Sequence, residues 1–321
     1  MASVTVVIPN YNGMRFLKPC LDALREQTMK DFDIIVVDDA SSDESVPFLK
    51  RNYPEVRVIE REENGGFCRS ANNGVRAAFT EYVILLNNDT VAEPGFVAGL
   101  YRGIQENKKT FSCSACMLRA DDPSLIDGAG DLYNILGWGF ARGQGKPAEA
   151  YGRPAAVFSA CGGAAIYDRA LFMELGLLDE SHISYLEDLD IGYRARIHGY
   201  KNMYEPRARV LHVGSGTFGA RHTPFKVTVS ARNNIYLIWK NMPVPQFVFN
   251  APFLFAGFLI KYLYFRRKGF GKEYLAGIAA GFALNRIQKD KGVKQKLTLE
   301  RSPQFFKIQM QLWKNLFARR N

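Results

Sequence analysis

The stretch Tyr82-Val83-Ile84-Leu85-Leu86-Asn87-Asn88-Asp89-Thr90 decides how the chain is interpreted. Its five apolar residues predict a buried strand, and the strand ends abruptly in two amides and one carboxylate. In an open α/β sheet, ligands bind beyond the carboxyl ends of the strands, so this ending is suited to holding a cation. An ordinary turn would use the same residue types, because Asn and Asp favour turns through local hydrogen bonds. The rest of the chain has to separate these two interpretations.

Strands and helices alternate along the first 110 residues. Predicted strands lie at residues 4–8, 32–37, 56–59 and 82–86, with apolar residues at helical spacing between them. This order predicts a mainly parallel sheet with helices on both faces. The polar residues that follow these strands should meet at one sheet edge and form a nucleotide cleft; they are Tyr11, Asp38, Asp39, Asn64 and Asp89. The sequence has no Gly-x-Gly-x-x-Gly or Walker motif, so a divalent cation held by Asp89 would balance the phosphate charge.

The charge of the chain is unevenly distributed. The 321 residues carry a net charge of +10, yet residues 266–321 alone hold 14 Lys and Arg against 3 Asp and Glu. A basic segment indicates an anionic partner, either a membrane surface or nucleic acid. None of the usual nucleic-acid recognition motifs occurs in the sequence, so we expect no nucleic-acid partner. The first residues, Met1–Ile8, are typical of a strand and not of a signal peptide, which leads us to expect a cytoplasmic protein.

The middle of the chain has weaker patterns. Residues 121–154 are rich in Gly, Asp and aromatic residues, Trp138 among them, and predict a long binding loop. The small residues around Cys161-Gly162-Gly163 allow the backbone to approach a ligand closely. Cys113 and Cys116 have the spacing of half a zinc site, but no second pair follows, so buried thiols are favoured.

An acidic cluster begins a predicted helix near residue 187. Glu187, Asp188 and Asp190 place three acids within four positions, and Arg194 follows Asp190 at the i, i+4 spacing. An acidic first turn is favourable through the helix dipole, and an i, i+4 ion pair is equally ordinary. Adjacent carboxylates can also raise a pKa into the range of a general base. Structural and catalytic interpretations are both open at this point.

Taken in order, these motifs resemble the inverting family 2 glycosyltransferases of GT-A fold, and most closely the bacterial branch that contains rhamnosyltransferases. The motifs that carry the resemblance are Val6-Val7-Ile8-Pro9-Asn10-Tyr11-Asn12-Gly13, Val37-Asp38-Asp39-Ala40-Ser41-Ser42-Asp43, Asn64-Gly65-Gly66-Phe67 with Asn72, Leu86-Asn87-Asn88-Asp89, Cys161-Gly162-Gly163, Glu187-Asp188-x-Asp190 with Arg194, His212, and Arg232-Asn233. Each motif is weak alone, and the ordered set is specific. The resemblance spans about residues 3–240.

The resemblance implies a GT-A domain at residues 1–240, with a nucleotide half at about 1–110 and an acceptor half at about 111–240. It implies that Pro9 and Tyr11 line the donor base, and that Asp38 or Asp39 accepts a hydrogen bond from the base or ribose. Asn64, Asn72 and Asn88 are then expected near the nucleotide. The donor would be a nucleotide sugar, first dTDP-rhamnose and next a UDP-sugar.

The resemblance also implies the catalytic groups. Asp89 corresponds to the metal-binding acid of the family's Asp-x-Asp motif, whose first position is Asn87 here, and the cation would be Mg²⁺ or Mn²⁺. Asp188 corresponds to the catalytic base. His212 is either a further metal ligand or a structural histidine. Residues expected to shape or support the acceptor site are Glu187, Asp190, Arg194, Cys161, Gly162, Gly163, Trp138 and Arg232.

The C-terminal segment, residues 241–321, is expected to be a basic helical tail. Its apolar run at residues 247–260 is short for a membrane span, and an interfacial or re-entrant segment or a core helix fits better, although an extension to Phe265 would allow a span. Near the end of the chain one helical face is apolar and its surroundings are basic. The apolar residues are Phe305, Ile308, Leu312, Trp313, Leu316 and Phe317. The basic residues are Lys307, Lys314, Arg319 and Arg320. This pattern is typical of a helix on a membrane surface, but a helix packed on the main domain has the same stripe.

The predicted function is therefore sugar transfer to a lipid-linked saccharide in bacterial cell-surface polysaccharide assembly, by a cytoplasmic protein attached peripherally to an anionic membrane. A sugar-nucleotide pyrophosphorylase would need a Gly-rich basic loop near its start, which residues 10–15 do not provide. The alternative from a different class is a catalytically silent saccharide-binding or scaffold protein at the membrane.

Overall fold

The structure, a computed structural model, describes residues 2–214 and 222–318. Its strands are β1 (Val4–Asn10), β2 (Phe32–Asp38), β3 (Arg57–Glu60), β4 (Tyr82–Leu86), β5 (Thr90–Ala92), β6 (Thr110–Arg119), β7 (Ile126–Gly128), β8 (Asp131–Tyr133), β9 (Gly139–Ala141), β10 (Ala155–Val157), β11 (Ala164–Asp168) and β12 (Lys201–His212). Its α-helices are α1 (Met14–Arg25), α2 (Ser45–Asn52), α3 (Phe67–Ala77), α4 (Phe96–Gln105), α5 (Arg169–Glu174), α6 (Glu187–Ile197), α7 (Pro224–Asn241), α8 (Val244–Arg267), α9 (Gly271–Gln288) and α10 (Ser302–Phe317).

One mixed sheet organises the main body in the order β3-β2-β1-β4-β11-β6-β12-β10. Strands β1 to β4 run parallel to one another. Strand β11 lies antiparallel between β4 and β6. Because β1, β2 and β4 are parallel, their carboxyl ends meet at one edge, as the strand–helix alternation predicts.

Helices cover both faces of this sheet. Alternate residues of β1 point to opposite sides, so Val6 packs against Leu17 of α1 and its neighbours, while Val7 packs against Ala71 of α3. The predicted α/β fold of GT-A type with a C-terminal helical region is confirmed.

The predicted long loop at residues 121–154 is wrong in part. Strands β7, β8 and β9 form there, each three residues long, with β7 paired to β6 and β8 paired to β9. Such short strands have too few residues for a period-two pattern to be recognised in the sequence.

The C-terminal helices pack on the body, which corrects the prediction that the apolar stripe of the last helix lies on a membrane surface. Phe305, Ile308 and Leu312 of α10 are buried in one cluster with Tyr193 of α6 and other core residues. The stripe assigned to a membrane surface is therefore mainly a core face, because α6, α7 and β8 supply apolar partners for it. Phe317 remains exposed, and the basic residues Arg319 and Arg320 lie outside the described residues.

Helix α8 is longer than the apolar run suggested. It continues through Pro252 for 24 residues, about 36 Å at 1.5 Å per residue. Among the described residues it is the one helix long and apolar enough to cross a bilayer. One side of it packs on the body, where Leu254 is buried and Asn250 exchanges amide hydrogen bonds with Gln309 of α10.

The thiols of Cys113 and Cys116 are buried in different core clusters. They lie three residues apart on β6, so their side chains point to opposite faces of the sheet. Burial raises the pKa of both thiols, as expected for inert core cysteines. The division of the chain near residue 240 stays a prediction; α7 ends at Asn241 and α8 begins at Val244.

Candidate active site

Asp89 and His212 meet at the carboxyl end of β4. Asp89 ends the turn after β4, and the antiparallel pairing of β5 with β12 places His212 opposite Thr90, the next residue. The two side chains are mostly buried, and His212 Nε2 lies 3.4 Å from Asp89 Oδ1. Sheet pairing thus brings together two residues that are far apart in sequence.

A third residue completes this group and was missed by the sequence analysis. His212 Nδ1 lies 2.7 Å from Oδ2 of Asp127, on β7. Burial lowers the pKa of His212, but the Asp127 and Asp89 carboxylates outweigh burial and raise it to about 9. No sequence pattern marked Asp127, because its strand is three residues long.

The residues present fit a divalent cation. Carboxylate and imidazole are both ligands of first-row divalent metals, and carboxylate with phosphate oxygen also suits Mg²⁺. Neighbouring ligands of an octahedral ion with bonds of about 2.1 Å lie roughly 3.0 Å apart, close to the 3.4 Å between His212 Nε2 and Asp89 Oδ1. The pair leaves most coordination positions to other ligands, such as phosphate oxygens and water.

A buried polar chain connects the end of β4 to the end of β2. Asn88 Nδ2 donates to Asn10 Oδ1 at 2.7 Å, and Asn10 Nδ2 donates to Asp38 Oδ1 at 2.8 Å. Asp38 also accepts from the hydroxyl and the backbone N–H of Ser41. The amide of Asn88 and the carboxylate of Asp38 therefore hold the strand ends together, and a direct contact with a nucleotide would use their remaining acceptor positions.

Asp39 organises the loop before α3. Its carboxylate accepts from the backbone N–H groups of Gly65 at 3.1 Å and Gly66 at 2.8 Å, and it pairs with Arg61. Gly66 has φ +82° and a Cβ there would lie 2.7 Å from Ile183 Cγ2, so only glycine fits between this loop and the segment before α6.

The other predicted donor residues lie in two environments. Pro9 is the partly buried next-to-last residue of β1, the ring of Tyr11 is exposed just after the strand, and Asn64 is exposed in the loop before α3. Asn72 is different: it is buried, donates to Leu178 O and accepts from Leu178 N. It fastens α3 to the loop after α5, and its expected place near the nucleotide stays a prediction.

Asp188 lies at the start of α6 against the turn Cys161–Gly163. A Cβ on Gly162 would be 2.5 Å from Asp188 Oδ1, and one on Gly163 would be 3.2 Å from Asn87 Nδ2. Asn87 N also donates to Gly163 O at 2.9 Å. The same turn therefore touches the end of β4 and the Asp188 carboxylate. Burial raises the pKa of Asp188 to about 7, opposed by the Gly162 backbone, and Oδ1 has no hydrogen-bond partner among the described residues.

Two further acidic side chains surround Asp188. Burial, and after it the charge of Asp188, raises the pKa of Glu187 and that of Asp131, on β8. Carboxylate oxygens of Asp131 and Asp188 and the Sγ of Cys161 lie within 4.8 Å of one another. Asp131 was not predicted, since it too lies on a three-residue strand.

Asp190 and Arg194 belong to a buried ionic network. Asp190 Oδ2 accepts from Arg194 Nε at 2.9 Å and from Lys240 Nζ at 2.8 Å, and Oδ1 accepts from Asn241 Nδ2 at 2.7 Å. Burial opposes ionisation of Asp190, but Arg194 and Lys240 outweigh it and hold its pKa well below the usual range. These groups join α6 to α7 in the interior of the protein, and their expected role in supporting the acceptor site stays a prediction.

Arg232 and Asn233 on α7 hold the segment that precedes α6. Asn233 Nδ2 donates to the carbonyls of His182 at 2.9 Å, Ser184 at 2.8 Å and Tyr185 at 2.7 Å. Arg232 donates to the carbonyls of Ser181 and His182, both at 2.9 Å. Ile183, Tyr185 and Leu186 all have positive φ near 66–68°, a costly conformation for such residues, and these hydrogen bonds stabilise it.

Trp138 lies in the turn between β8 and β9. Its indole N–H donates to Gly257 O of α8 at 3.1 Å, and a Cβ on Gly257 would be 2.1 Å from Leu136 O. Trp138 therefore fastens the C-terminal helices to the hairpin that carries Asp131.

Comparison with known proteins agrees with this geometry. The glycosyltransferase GlyG of Streptococcus pneumoniae serotype 4 is 32% identical over 107 residues, which are 32% of this chain and 35% of that protein. A poly(ribitol-phosphate) beta-glucosyltransferase of Bacillus spizizenii is 36% identical over 111 residues, 33% of this chain and 18% of that protein. The matched parts are thus about a third or less of those relatives' own length.

Solved structures share the fold at low sequence identity. GalNAc-T7 with UDP, GalNAc and Mn²⁺ has a TM-score of 0.63 at 18% identity, over 92% of this chain and 55% of that one. The mannosyltransferase PcManGT from Pyrobaculum calidifontis with GDP-Man and Mn²⁺ has a TM-score of 0.56 at 18% identity, over 98% and 85%. Residues 5–176, more than half of the chain, match the sequence profile of Glycosyl transferase family 2. The chain belongs to the family 2 glycosyltransferases.

Proposed function

We propose that this protein transfers a sugar from a nucleoside diphosphate sugar to an acceptor hydroxyl, with inversion at the anomeric carbon and with a divalent cation. One observation carries the proposal. The turn Cys161–Gly163 contacts both the Asp188 carboxylate and Asn87 at the end of β4, so a carboxylate able to act as a base faces the same edge that carries Asp89 and His212.

The donor would lie across the carboxyl ends of β1, β2 and β4. Tyr11 is available to cover the base, and the Asp39-ordered loop at Gly65–Gly66 closes the same edge. Asp89 and His212 would hold Mg²⁺ or Mn²⁺. Such an ion neutralises charge on the departing diphosphate as a Lewis acid.

Asp188 would accept the proton of the acceptor hydroxyl as its oxygen bonds to the anomeric carbon. The bond from that carbon to the diphosphate oxygen breaks in the same step, and its electron pair leaves with the diphosphate. A single displacement of this kind needs one base and inverts the carbon. The Asp188 pKa of about 7 is close to the value that best serves a general base at neutral pH. The rate of transfer is expected to rise about tenfold from pH 6 to pH 8 as the carboxyl ionises.

The donor and acceptor are narrower proposals. The motifs resemble the rhamnosyltransferase branch, which supports dTDP-rhamnose as the first donor to test and UDP-sugars as the next. A relative named for glucosylation of poly(ribitol-phosphate) supports a role in bacterial cell-surface polysaccharide assembly. We propose a lipid-linked saccharide as the acceptor.

An exposed apolar face on α8 supports the proposal of a lipid-linked acceptor. The outward face of α8 carries exposed apolar residues at helical spacing: Val248, Phe255, Leu259 and Leu263. Arg266, Arg267 and Lys268 follow directly and would interact with anionic headgroups. Because the other side of α8 packs on the body through Leu254 and Gly257, we propose that α8 lies on the inner face of the cell membrane and does not cross it.

Surface substitutions test the membrane proposal better than truncation. Removing residues 241–321 would take Phe305 and Leu312 out of their core cluster and expose the members that remain, such as Tyr193 and Leu237. The double change Phe255→Ser with Leu259→Ser removes two exposed side chains worth together about 2–3 kcal/mol of apolar transfer, so binding to anionic vesicles should weaken about 30-fold or more. Phe79→Ser, at a residue 89% exposed on the main domain, is the matched control. Equal partition of both variants and the unmodified chain into vesicles would contradict the proposal.

A donor screen tests the enzymatic proposal. Transfer from dTDP-rhamnose, UDP-sugars and GDP-mannose to a lipid-diphosphate saccharide would be followed with and without Mg²⁺ or Mn²⁺. Cation-dependent transfer to one of these acceptors is expected. Saccharide binding without transfer, and without cation-dependent hydrolysis of any donor, would favour the silent binding protein instead.

A further inference from the structure

The ring of His212 uses its two nitrogens differently. Nε2 faces Asp89 at 3.4 Å, and Nδ1 faces Asp127 Oδ2 at 2.7 Å. An ionised carboxylate only accepts hydrogen bonds, so Nδ1 carries the proton and donates it to Asp127. In a neutral ring the lone pair is then on Nε2, on the side of Asp89.

The backbone at Asp127 is shaped to present its side chain. In the pairing of β7 with β6, Leu118 is opposite Ile126 and Met117 is opposite Gly128. Asp127 is therefore the additional residue of a β-bulge and has no partner position on β6. Bulges redirect a side chain and occur often beside active sites. This irregular pairing is independent of the hydrogen bond to His212.

The strand register supports the same arrangement. His212 is paired in parallel with Arg119 of β6 and in antiparallel fashion with Thr90 of β5. Its backbone is therefore fixed on both sides, and its carbonyl also accepts from Ala120 N at 3.0 Å. What remains to be set is the rotation of the ring and its tautomer, and Asp127 contacts the ring at the nitrogen that decides both.

We propose that Asp127 is a positioning residue that holds His212 in the Nδ1–H tautomer, with Nε2 directed at the divalent cation shared with Asp89. The inference rests on the cation of the proposed function. Asp127 does not bind the cation itself. A carboxylate behind a histidine ligand orients the ring and makes it a more basic ligand, and loss of such a group commonly weakens metal affinity by about 10–100-fold.

Variants of Asp127 should separate orientation from charge. Asp127→Ala removes the acceptor and the charge, and is expected to weaken Mn²⁺ binding by about 10–100-fold. Asp127→Asn keeps an acceptor oxygen of the same shape without the charge, and should give a smaller loss. Asp121→Asn is the matched control, because Asp121 is an exposed acid close in sequence whose partner is Arg119.

The experiment uses the full chain and Mn²⁺ alone, at micromolar to millimolar concentration, with free Mn²⁺ measured by electron paramagnetic resonance. His212→Ala reports the loss of the ligand itself. A second readout is the ¹⁵N spectrum of labelled histidine with Mg²⁺ in place of Mn²⁺. It should show an Nδ1–H tautomer for His212 in the unmodified chain and a loss of that tautomer in Asp127→Ala.

Each outcome decides the inference. A dissociation constant of Asp127→Ala within twofold of the unmodified chain, or an unchanged tautomer, would overturn it. An equal loss in Asp121→Asn would show a general effect of charge and would also overturn it. Mn²⁺ binding unaffected by His212→Ala would remove the ligand on which the inference depends, while the donor screen would still decide whether the protein transfers sugar. If Asp127→Ala fails to fold, Asp127→Asn carries the affinity test, and Mn²⁺ binding by Asp127→Asn no weaker than by Asp121→Asn would overturn the inference.

Discussion

The most specific prediction concerns Gly162, whose missing side chain leaves room for the Asp188 carboxylate, the proposed base. A Cβ at this position would lie 2.5 Å from Asp188 Oδ1. Ordinary contacts between carbon and oxygen are about 3.3–3.6 Å, so Gly162→Ala has to displace the carboxylate by roughly 1 Å. Gly162 is not in the left-handed region, so alanine fits the backbone without strain.

The displacement should affect turnover and not stability. A misplacement of about 1 Å at a reacting group costs about 100-fold in rate, which corresponds to about 2.7 kcal/mol in the activation free energy. The free energy of unfolding should change by less than about 1 kcal/mol, since Gly→Ala at a compatible site is neutral or slightly stabilising. KM for the donor should stay the same, because Asp188 acts on the acceptor.

The assay is initial-rate kinetics at pH 8, where the Asp188 carboxyl is ionised, together with urea denaturation. Gly95→Ala is the control, since a Cβ there meets nothing within 4 Å. A Gly162→Ala protein that is folded and turns over within threefold of the unmodified chain would refute the placement of Asp188 at the reacting hydroxyl.

Three further predictions concern the surroundings of the site. Asn233→Ala should lower the free energy of unfolding by about 2–3 kcal/mol, because buried carbonyls lose their donor, and should also lower kcat. Urea denaturation and kinetics measure the two effects. A stable, fully active variant would contradict the role of α7 in holding the segment before α6. Arg61→Ala should raise the donor KM about tenfold at constant kcat, because it loosens Asp39 beneath Gly65 and Gly66; an unchanged KM would count against that loop as a donor contact. The third concerns His182, because burial lowers its pKa to about 4 from about 6.5 in the unfolded chain. As the pH falls from 7 to 5, the unfolded state takes up the proton first, so the free energy of unfolding falls by about 2 kcal/mol through this group. His182→Leu should remove that part of the pH dependence in urea titrations, and a variant with the same pH dependence as the unmodified chain would show that the ring is not buried and neutral.

The sequence was most informative where one element decides the chemistry by itself. The apolar run at residues 82–86 with its polar ending predicts β4 and the place of Asp89, because strand burial and strand-end chemistry are local properties. The i, i+4 spacing of Asp190 and Arg194 likewise predicts their ion pair, which the structure contains. Asp190 has a second positively charged partner, Lys240, which lies 50 residues later on α7. This contact depends on the packing of α6 on α7.

Other parts could not be read from the sequence because pairing between distant segments decides them. Asp127 and Asp131 come close to His212 and Asp188 through three-residue strands and a bulge, and neither has a periodic pattern. The stripe on α10 has the same spacing whether it faces lipid or protein. Its burial depends on core partners such as Phe158 and Tyr193, which the spacing alone does not identify.

The most direct test of the account is turnover by Asp188→Asn under conditions where the unmodified chain transfers sugar. The substitution keeps the shape of the side chain and removes its ability to take a proton. We predict a folded protein with unchanged Mn²⁺ and donor binding and a rate of transfer lower by at least about 100-fold. Near-normal turnover by this variant would contradict the assignment of Asp188 as the base and with it the central claim.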